Sequence, residues 1–408
     1  MNSSATIAAM SIPPTKLKAL QTGAYFVAFI TLGFTTAAIG PTLPKLASHL
    51  HTDLSAISNV LFFHSLGFLL VSFRGGKWYD RLRGHRLMAL AVLAMAASMV
   101  LVPLMPTLWA LIAVILFLGA AEGLVDTGAN TLIVWVHGSR VAPFLNGLHF
   151  FYGVGAFLSP IIIAQTLTIK DDLAVPYWTL GLLVLPAAVL LISAASPPIR
   201  SHAHKQRGEP VNYRLVLLIA LFLCLYVGAE VSFGSWIYSF VLQMNLSNET
   251  VAAYLTSLFW GALTVGRLLA VPIAARVKPH LILLADLAGC LISIFIALVW
   301  SGVFAAVLIA TIGLGLSMAS IFPSVFALAE NRMKISGQVT GFFLVGASLG
   351  AMILPWLVGQ LFEKLGARVL LFAVLAEVVL AVLVFALMNG LPQQKSDSAV
   401  CEANTVAR

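Results

Sequence analysis

The chain contains few charged residues and few cysteines. Only 9% of its 408 residues are Asp, Glu, Lys or Arg, whereas 60% are hydrophobic, and its mean hydropathy is +1.00. Soluble domains carry about 25% charged residues, so this composition excludes a soluble globular protein and indicates an integral membrane protein. The three cysteines, Cys224, Cys290 and Cys401, have no paired spacing, which predicts free thiols and no metal site.

Enzyme signatures are also scarce. The sequence contains no His-Glu-x-x-His motif and no nucleotide-binding loop. A metalloprotease or a nucleotide-dependent enzyme would need one of these patterns. We therefore predict that the chain is not an enzyme.

Twelve apolar stretches are long enough to cross a bilayer. A spanning helix needs about 20 apolar residues, and its backbone groups must be hydrogen-bonded within the segment, which predicts an all-α membrane protein. The predicted spans are 20–43, 57–73, 87–105, 108–136, 142–167, 175–195, 213–241, 250–275, 280–300, 303–329, 336–362 and 367–389.

Lysines and arginines are distributed unevenly between the loops. With the N-terminus inside, 19 of the 23 basic residues fall on the inner side, and only Lys45, Lys170, Lys364 and Arg368 fall outside. Cytoplasmic loops retain such an excess, so the pattern predicts twelve spans with both termini cytoplasmic. It also accounts for the net charge of +8 without a nucleic-acid partner.

A polar interval divides the spans six and six. Residues 196–212 combine prolines, histidines and basic residues without apolar periodicity, which is typical of a linker. We predict an N-terminal six-helix bundle at 1–195, a cytoplasmic linker at 196–212, a C-terminal six-helix bundle at 213–390 and a cytoplasmic tail at 391–408. Two pseudo-symmetric bundles are the architecture of transporters that alternate access to a site at mid-membrane.

Three carboxylates lie deep within the predicted spans: Glu122 and Asp126 in the fourth and Glu230 in the seventh. A charge at the bilayer centre costs about 3 kcal/mol or more unless it meets water or a partner, so such residues usually mark an ion or substrate path. Asn130 continues the four-residue spacing of Glu122 and Asp126, which puts all three on one helix face. The alternative for Glu230 is a structural carboxylate that a neighbouring helix neutralises.

A loop signature and several spans resemble a known family. Residues 76–86, GKWYDRLRGHR, resemble the Gly-x-x-x-Asp-Arg-x-Gly-Arg-Arg signature of the major facilitator superfamily, with one extra residue before Gly84. Five further segments resemble the fucose:proton symporter family, and especially its branch similar to sodium-dependent glucose transporters. They are GLVDTGAN (123–130), LNGLHFFYGVGAFLSP (145–160), YVGAEVSFGSWI (226–237), SIFPSVFALAE (320–330) and TGFFLVGASLGAMILPW (340–356).

The resemblance implies a major facilitator fold and roles for the carboxylates. Residues 126–130, DTGAN, match the symporters' ion-coupling motif, so that role is expected for Asp126, with Glu122 as a second coupling carboxylate or a proton-sharing partner. The matched motif around Glu230 implies a role in the cavity. The symporters also carry an acidic residue in the first span, whereas residues 21–44 contain none, so their proton mechanism does not transfer directly.

Residues suited to sugar recognition occur in and near the matched segments. A sugar site needs polar groups for the hydroxyls and an aromatic plate for the apolar ring face. The predicted substrate-binding residues are Asn130, His149, Tyr152, Trp236 and Gln243. His149 has the structural alternative of a hydrogen bond to a backbone carbonyl, and Trp236 that of an interfacial tryptophan.

Cytoplasmic gates are predicted in both halves. They comprise Gly76, Asp80 and Arg81 in the loop signature and, in the corresponding loop of the second half, Arg267 after Gly266. Ion pairs at helix junctions can form or break as bundles rock. An ordinary positive-inside loop would explain the arginines but not the matched Gly and Asp.

These features favour a secondary active transporter that imports a small neutral sugar or polyol, driven by sodium or protons. The alternative of the same fold is a drug or metabolite:proton antiporter, and the alternatives of other classes are a non-transporting sensor and an intramembrane enzyme. No cofactor is expected beyond the coupling ion, and a sodium site near Asp126 stays open. A monomer in the lipid bilayer suffices because one chain carries both halves, and the short loops favour a prokaryotic cytoplasmic (inner) membrane.

Overall fold

The computed structural model describes residues 14–199, 212–333 and 337–391, which form helices and no strands. Twelve helical stretches within these ranges are long and apolar enough to cross a membrane, which confirms the predicted number of spans. The twelve-span, all-α architecture is therefore correct, and only the ends of the spans differ. The second span, Leu54–Tyr79, extends past the predicted 57–73 at both ends.

The described residues form fifteen α-helices. In chain order they are α1 (Pro14–Thr36), α2 (Ile39–His49), α3 (Leu54–Ile57), α4 (Asn59–Tyr79), α5 (Gly84–Leu101), α6 (Leu108–His137), α7 (Ala142–Ile169), α8 (Ala174–Ser193), α9 (Tyr213–Gln243), α10 (Glu249–Ala274), α11 (Pro279–Val299), α12 (Phe304–Met318), α13 (Ile321–Glu330), α14 (Gly337–Leu365) and α15 (Val369–Gly390). Short 3-10 turns follow α5 and α6.

Packing divides the described chain into two units. The first unit contains residues 14–38 and 66–199, and the second contains residues 39–65 together with the described residues from 212 onward. The predicted boundaries at 195 and 213 leave residues 39–65 with the N-terminal half, whereas the structure packs them with the second. Most of the predicted linker and tail lies outside the described residues.

Polar contacts explain why residues 39–65 belong to the second unit. Ser55 Oγ donates to Gln360 Oε1 at 3.0 Å, and the backbone N–H of Leu54 donates to Glu363 Oε1 at 2.8 Å. Gly40 lets α2 approach α9 closely, because a Cβ at this position would lie 2.8 Å from the Ser235 carbonyl oxygen. The unit therefore joins segments that are about 300 residues apart in the chain.

The first unit is held together by close contacts between α1 and its neighbours. Gly33 of α1 and Gly155 of α7 face each other, and Ser159 donates to the Phe34 carbonyl at 2.7 Å. His85 is buried between the Tyr25 hydroxyl at 2.7 Å and the Ala194 carbonyl at 2.9 Å. Its ring thus ties α1 and the start of α5 to the end of α8.

The second unit is built around α9, and its tenth span is interrupted. The backbones of α9 and α14 meet at Gly350, where any side chain would collide with the Cys224 carbonyl. The predicted tenth span, 303–329, consists of α12 and α13, which are separated at Ala319 and Ser320. Pro323 has no N–H, so the Ala319 carbonyl lacks its usual donor four residues on, and this accounts for the break.

Candidate functional site

The acidic face of α6 lies in the first unit. Glu122 is fully buried and accepts a hydrogen bond from Thr36 Oγ1 at 3.1 Å. Asp126, one turn on, is half-buried, and its Oδ1 accepts from Asn130 Nδ2 at 3.2 Å. The same amide group donates to the Asp126 backbone carbonyl at 3.0 Å, so Asn130 orients Asp126. The structure therefore brings these three predicted residues together.

The loop signature is anchored to the helix that carries Asp126. Tyr79 is fully buried, and its hydroxyl donates to the Leu124 carbonyl at 2.8 Å. A Cβ at Gly128 would lie 3.0 Å from Cε1 of Tyr79 and closer still to its hydroxyl, so only glycine leaves room for this ring. The neighbouring Asp80 is exposed. The end of α4 therefore reaches the DTGAN segment, residues 126–130, through a residue that the sequence analysis did not single out.

The other predicted site residues of the first unit lie on α7 and at the end of α4. His149 of α7 is exposed and meets the Phe29 ring edge-on, with 6.0 Å between ring centroids. Tyr152 is half-buried one turn further along α7. Gly76 lies in the last turn of α4, and Arg81 is exposed in the turn that follows.

A second polar cluster surrounds Glu230 in the second unit. Glu230 is nine-tenths buried, and its Oε1 lies 3.8 Å from Arg267 Nη2. The Tyr226 hydroxyl contacts Glu230 Oε2 and also lies 3.1 Å from the Met318 carbonyl oxygen. Nearby, Ser320 Oγ donates to Asp286 Oδ2 at 2.5 Å. The cluster thus gathers residues from α9, α10 and α11 at the break between α12 and α13.

Arg267 lies within a span rather than in a loop. It lies seven residues before the end of α10 at Ala274, or about 10 Å along the helix axis. The prediction that it belongs to the cytoplasmic loop after the eighth span is therefore wrong. Arg267 Nη2 lies 3.8 Å from Glu230 Oε1, so the arginine has a carboxylate partner within the unit.

The remaining predicted residues of the second unit lie in the C-terminal part of α9. Trp236 is fully buried, donates its indole N–H to the Pro355 carbonyl at 2.8 Å and stacks on Phe362 with 4.8 Å between ring centroids. The structure thus places Trp236 in the core of the second unit. Gln243 is exposed at the end of α9, where it lines a cavity of about 300 Å³ with Asp53 and Glu363.

The chain matches a known protein family over most of its length. The model of the family described as "Major Facilitator Superfamily" matches residues 25–355. This chain belongs to the major facilitator superfamily.

Relatives of this major facilitator protein share most of its length. Sodium-dependent glucose transporter 1A of Mus musculus is 32% identical over 375 residues, which cover 82% of this chain and 88% of that protein. Sodium-dependent glucose transporter 1 of Xenopus laevis is 30% identical over 395 residues, covering 89% and 80%. Major facilitator superfamily domain-containing protein 4A of Homo sapiens is 28% identical over 444 residues, covering 84% and 86%.

Solved structures show the same fold at low identity. The nucleoside transporter NupG aligns with a TM-score of 0.74 at 12% identity, covering 90% of this chain and 99% of that one. A bacterial homologue of the human lysosomal transporter Spinster aligns with a TM-score of 0.68 at 13% identity, covering 92% and 96%. These likenesses support the major facilitator fold and carry no information about substrate.

Two carboxylates inside the spans of this major facilitator chain, Asp286 and Glu377, were missed by the sequence analysis. Asp286 of α11 bonds to Ser320, and Glu377 of α15 is 5% exposed, with no partner for its Oε2 among the described residues. Both satisfy the criterion that singled out Asp126, an acidic residue inside an apolar span. Applied without exception, that criterion would have found them.

A sequence pattern that is typical of hydrolases is explained by helix packing. Residues 346–350 read Gly-x-Ser-x-Gly, which in hydrolases marks a nucleophile on a strand-to-helix turn. Here the segment lies inside α14, and both glycines are packed against the backbone of α9 at Ala220 and Cys224. Within the described residues no group of three or more His, Cys, Asp or Glu side chains is arranged to hold a metal ion.

Proposed function

We propose that this major facilitator protein imports a small neutral sugar or polyol, driven by a sodium or proton gradient. The observation that carries the proposal is the pairing of Glu122 and Asp126, one turn apart on α6, with a hydroxyl donor on one and an amide donor on the other. Two carboxylates at this separation repel each other when both are ionised. A cation that binds between them, or to one of them, reduces this repulsion. The names of the sodium-dependent glucose transporters above support the choice of a sugar and a cation.

The proposed coupling follows from differential binding. The cation neutralises the negative charge of Asp126, and the sugar binds best to the protein in which this charge is neutralised. Each ligand therefore raises the affinity for the other. Asn130 holds Asp126 in place through its own side chain. Only the empty carrier and the carrier with both ligands bound then change readily between the outward-open and inward-open states. Because of this restriction, sugar accumulation depends on the cation gradient.

Uptake into proteoliposomes tests this proposal. Wild type, Asp126→Asn and the control Glu330→Gln, an exposed carboxylate at the end of α13, are compared with a panel of labelled monosaccharides under separate sodium and proton gradients. We expect gradient-driven accumulation of one sugar in wild type and Glu330→Gln, and its loss in Asp126→Asn, which should still exchange sugar across the membrane. Absence of sugar accumulation and exchange in wild type under either gradient would overturn the proposal.

The proposed location is the cytoplasmic membrane of a prokaryote, and the proposed functional unit is the monomer. Both rest on the short turns between the spans and on the presence of both halves in one chain. The relatives named above are vertebrate proteins. Fractionation of source cells and the mass of the detergent-solubilised protein test the two statements.

A further inference from the structure

The cavity beside Gln243 is lined only by residues of the second unit and has a volume of about 300 Å³. Its walls come from the end of α2, the turn before α3, the end of α9 and the end of α14. Three odd-numbered spans end at these walls: Thr15–His49, Tyr213–Gln243 and Gln338–Leu365. The cavity therefore lies on the side of the membrane opposite the start of the first span, which the charge pattern predicts to be extracellular.

The lining of the cavity is rich in hydrogen-bonding groups and contains no basic residue. Its polar members are two carboxyl groups, one amide and three hydroxyls: Asp53, Glu363, Gln243, Ser48, Thr52 and Ser239. The other lining residues are apolar, as is Leu242. An anion in this cavity would meet two carboxyl groups and no compensating cation, so the lining selects against negatively charged ligands.

The hydroxyl of Ser239 in this lining lacks a hydrogen-bond partner. Ser239 is 1% exposed, and its Oγ makes no hydrogen bond within the part of the chain that the structure describes. Buried hydroxyls are nearly always paired, because an unpaired one loses its bonds to water without a replacement. Ser239 lies one turn before Gln243, so the two side chains are on the same face of α9. A ligand in the cavity would supply the missing partner.

The two carboxyl groups are held in place, and each retains an oxygen for a ligand. Asp53 Oδ1 accepts from the Ala56 N–H at 2.6 Å, and Glu363 Oε1 accepts from the Leu54 N–H at 2.8 Å. A carboxylate accepts through both of its oxygens, so Asp53 Oδ2 and Glu363 Oε2 remain for other donors. Capping of α3 therefore accounts for one oxygen of each group and leaves the other for binding.

The loops beside the cavity are shaped by helix caps. His51 after α2 and Asn245 after α9 have φ angles of 51° and 52°, in the left-handed region. This turn lets the Thr52 N–H donate to the Ala47 carbonyl at 2.9 Å and closes the end of α2. The walls are thus fixed before a ligand binds, as in most small-molecule sites.

The volume of the cavity distinguishes a small molecule from a single ion. One water takes about 30 Å³ in the liquid, so the cavity has room for roughly ten waters, which is the lower end of the range of small-molecule sites. A neutral molecule with several hydroxyls can donate to both carboxyl groups and exchange hydrogen bonds with the amide and the hydroxyls. An organic cation would use the carboxyl groups and leave the hydroxyl of Ser239 unpaired.

We propose that this cavity is a second binding site for a small neutral sugar or polyol. The choice of ligand class rests on the proposed function, but the site is a different one, because Glu122 and Asp126 lie within a span of the first unit. Gln243 and Glu363 are its binding residues, and Ser239 completes it from the buried side. A ligand held here is concentrated at the membrane surface from which import starts.

Protection of an introduced thiol tests the site in the full-length protein. Ser48→Cys replaces the oxygen of an exposed lining residue by sulfur, and its reaction with a membrane-impermeant methanethiosulfonate is measured, with wild type as the background for the native cysteines. The probes are D-glucose, D-galactose and mannitol, and choline serves as the cationic probe. At least one neutral probe should slow the reaction about tenfold at about ten times its Kd, because binding lowers the free fraction by 1 + [L]/Kd.

Lys364→Cys is the matched control for this experiment. Lys364 is exposed beside Glu363 on α14 but does not line the cavity, so its thiol should react equally fast with and without the probes. Absence of protection of Ser48→Cys by every neutral probe would overturn the proposal. Protection by choline alone would also overturn it, because the cavity would then be a cation site.

Two further variants in the Ser48→Cys background test the assigned side chains. Glu363→Gln keeps an oxygen that accepts from the Leu54 N–H but replaces the other carboxyl oxygen by an amide donor, and Gln243→Ala removes an exposed amide. Each should weaken the affinity for the protecting probe about tenfold, the effect of one or two hydrogen bonds, with an unchanged thermal unfolding temperature. Wild-type affinity in both variants would refute the assignment.

The variant Asp126→Asn separates this site from the proposed import mechanism. Asp126 belongs to the first unit, so Asp126→Asn should keep the protection of Ser48→Cys although it loses gradient-driven accumulation. Protection without sugar accumulation or exchange in wild type would support this site and overturn the proposed function. Accumulation without protection would overturn this site and support the proposed function.

Discussion

In the first unit, Asp126 is held by the amide of Asn130 and Glu122 by the hydroxyl of Thr36, both neutral donors, whereas in the second unit Glu230 faces the guanidinium of Arg267. A neutral donor fixes the position of a carboxyl group without adding a charge, whereas a guanidinium places a positive charge beside it. The two units therefore place their buried carboxyl groups in different electrostatic surroundings.

Replacement of Arg267 should have the largest effect on this contrast. In Arg267→Gln the Glu230 carboxyl group loses the guanidinium that lies 3.8 Å away, so a buried carboxyl group is left without its charged partner. We expect ion-driven accumulation to fall at least about tenfold, within the usual range of coupling free energies, while sugar exchange persists. Uptake and exchange assays in proteoliposomes measure the two quantities. Arg276→Gln, an exposed arginine after α10, is the control and should behave as wild type. Normal accumulation in Arg267→Gln would remove the distinction between the units.

Replacement of Gly128 should disturb the first unit through packing rather than charge. In Gly128→Ala the new methyl group collides with the Tyr79 ring, and such overpacking costs about 1–3 kcal/mol. We expect a lower thermal unfolding temperature and reduced uptake, because the end of α4 can no longer bond to Leu124. Gly23→Ala is the matched control, since a Cβ there meets no atom within 4 Å. Equal behaviour of the two variants would show that the Tyr79 contact is dispensable.

Replacement of Trp236 should have the smallest effect on transport. Trp236→Phe keeps an aromatic ring against Phe362 but removes the N–H that bonds to Pro355, with an expected loss of about 1 kcal/mol in stability. Because the indole is buried, we expect the KM for sugar to change less than about twofold. Thermal unfolding and uptake kinetics check both values. A tenfold rise in KM with unchanged stability would show that Trp236 contacts the sugar.

The number of spans could be predicted from the sequence because hydrocarbon imposes a length and a composition on each helix. The same reasoning found Asp126 and Glu230, since a charge within an apolar span is costly. It did not find the contact of Tyr226 with Met318, 92 residues away, because that contact depends on how α9 packs against the tenth span. It also assigned Arg267 to a loop, although the predicted eighth span, 250–275, already contained this residue and ends within one residue of α10.

The position of Trp236 shows a further limit of sequence reasoning. An aromatic residue six positions after Glu230 is compatible with a sugar site or with a packed core, and only tertiary contacts distinguish the two. The structure supplies those contacts through Phe362 and Pro355, which follow Trp236 by more than 100 residues. Likewise, residues 39–65 precede the polar interval in sequence, yet they pack with the second unit.

That packing has a consequence for the biosynthesis of the chain. The second unit needs Ser55 to meet Gln360, which is 305 residues later, so the ribosome completes most of the protein before these partners coexist. At about 5–20 residues per second, the outer part of the first two spans waits roughly 15–60 s for its binding partner. During this interval the nascent chain exposes unpaired polar groups near the membrane surface, and this is when a membrane chaperone or the insertion machinery would have to shield them.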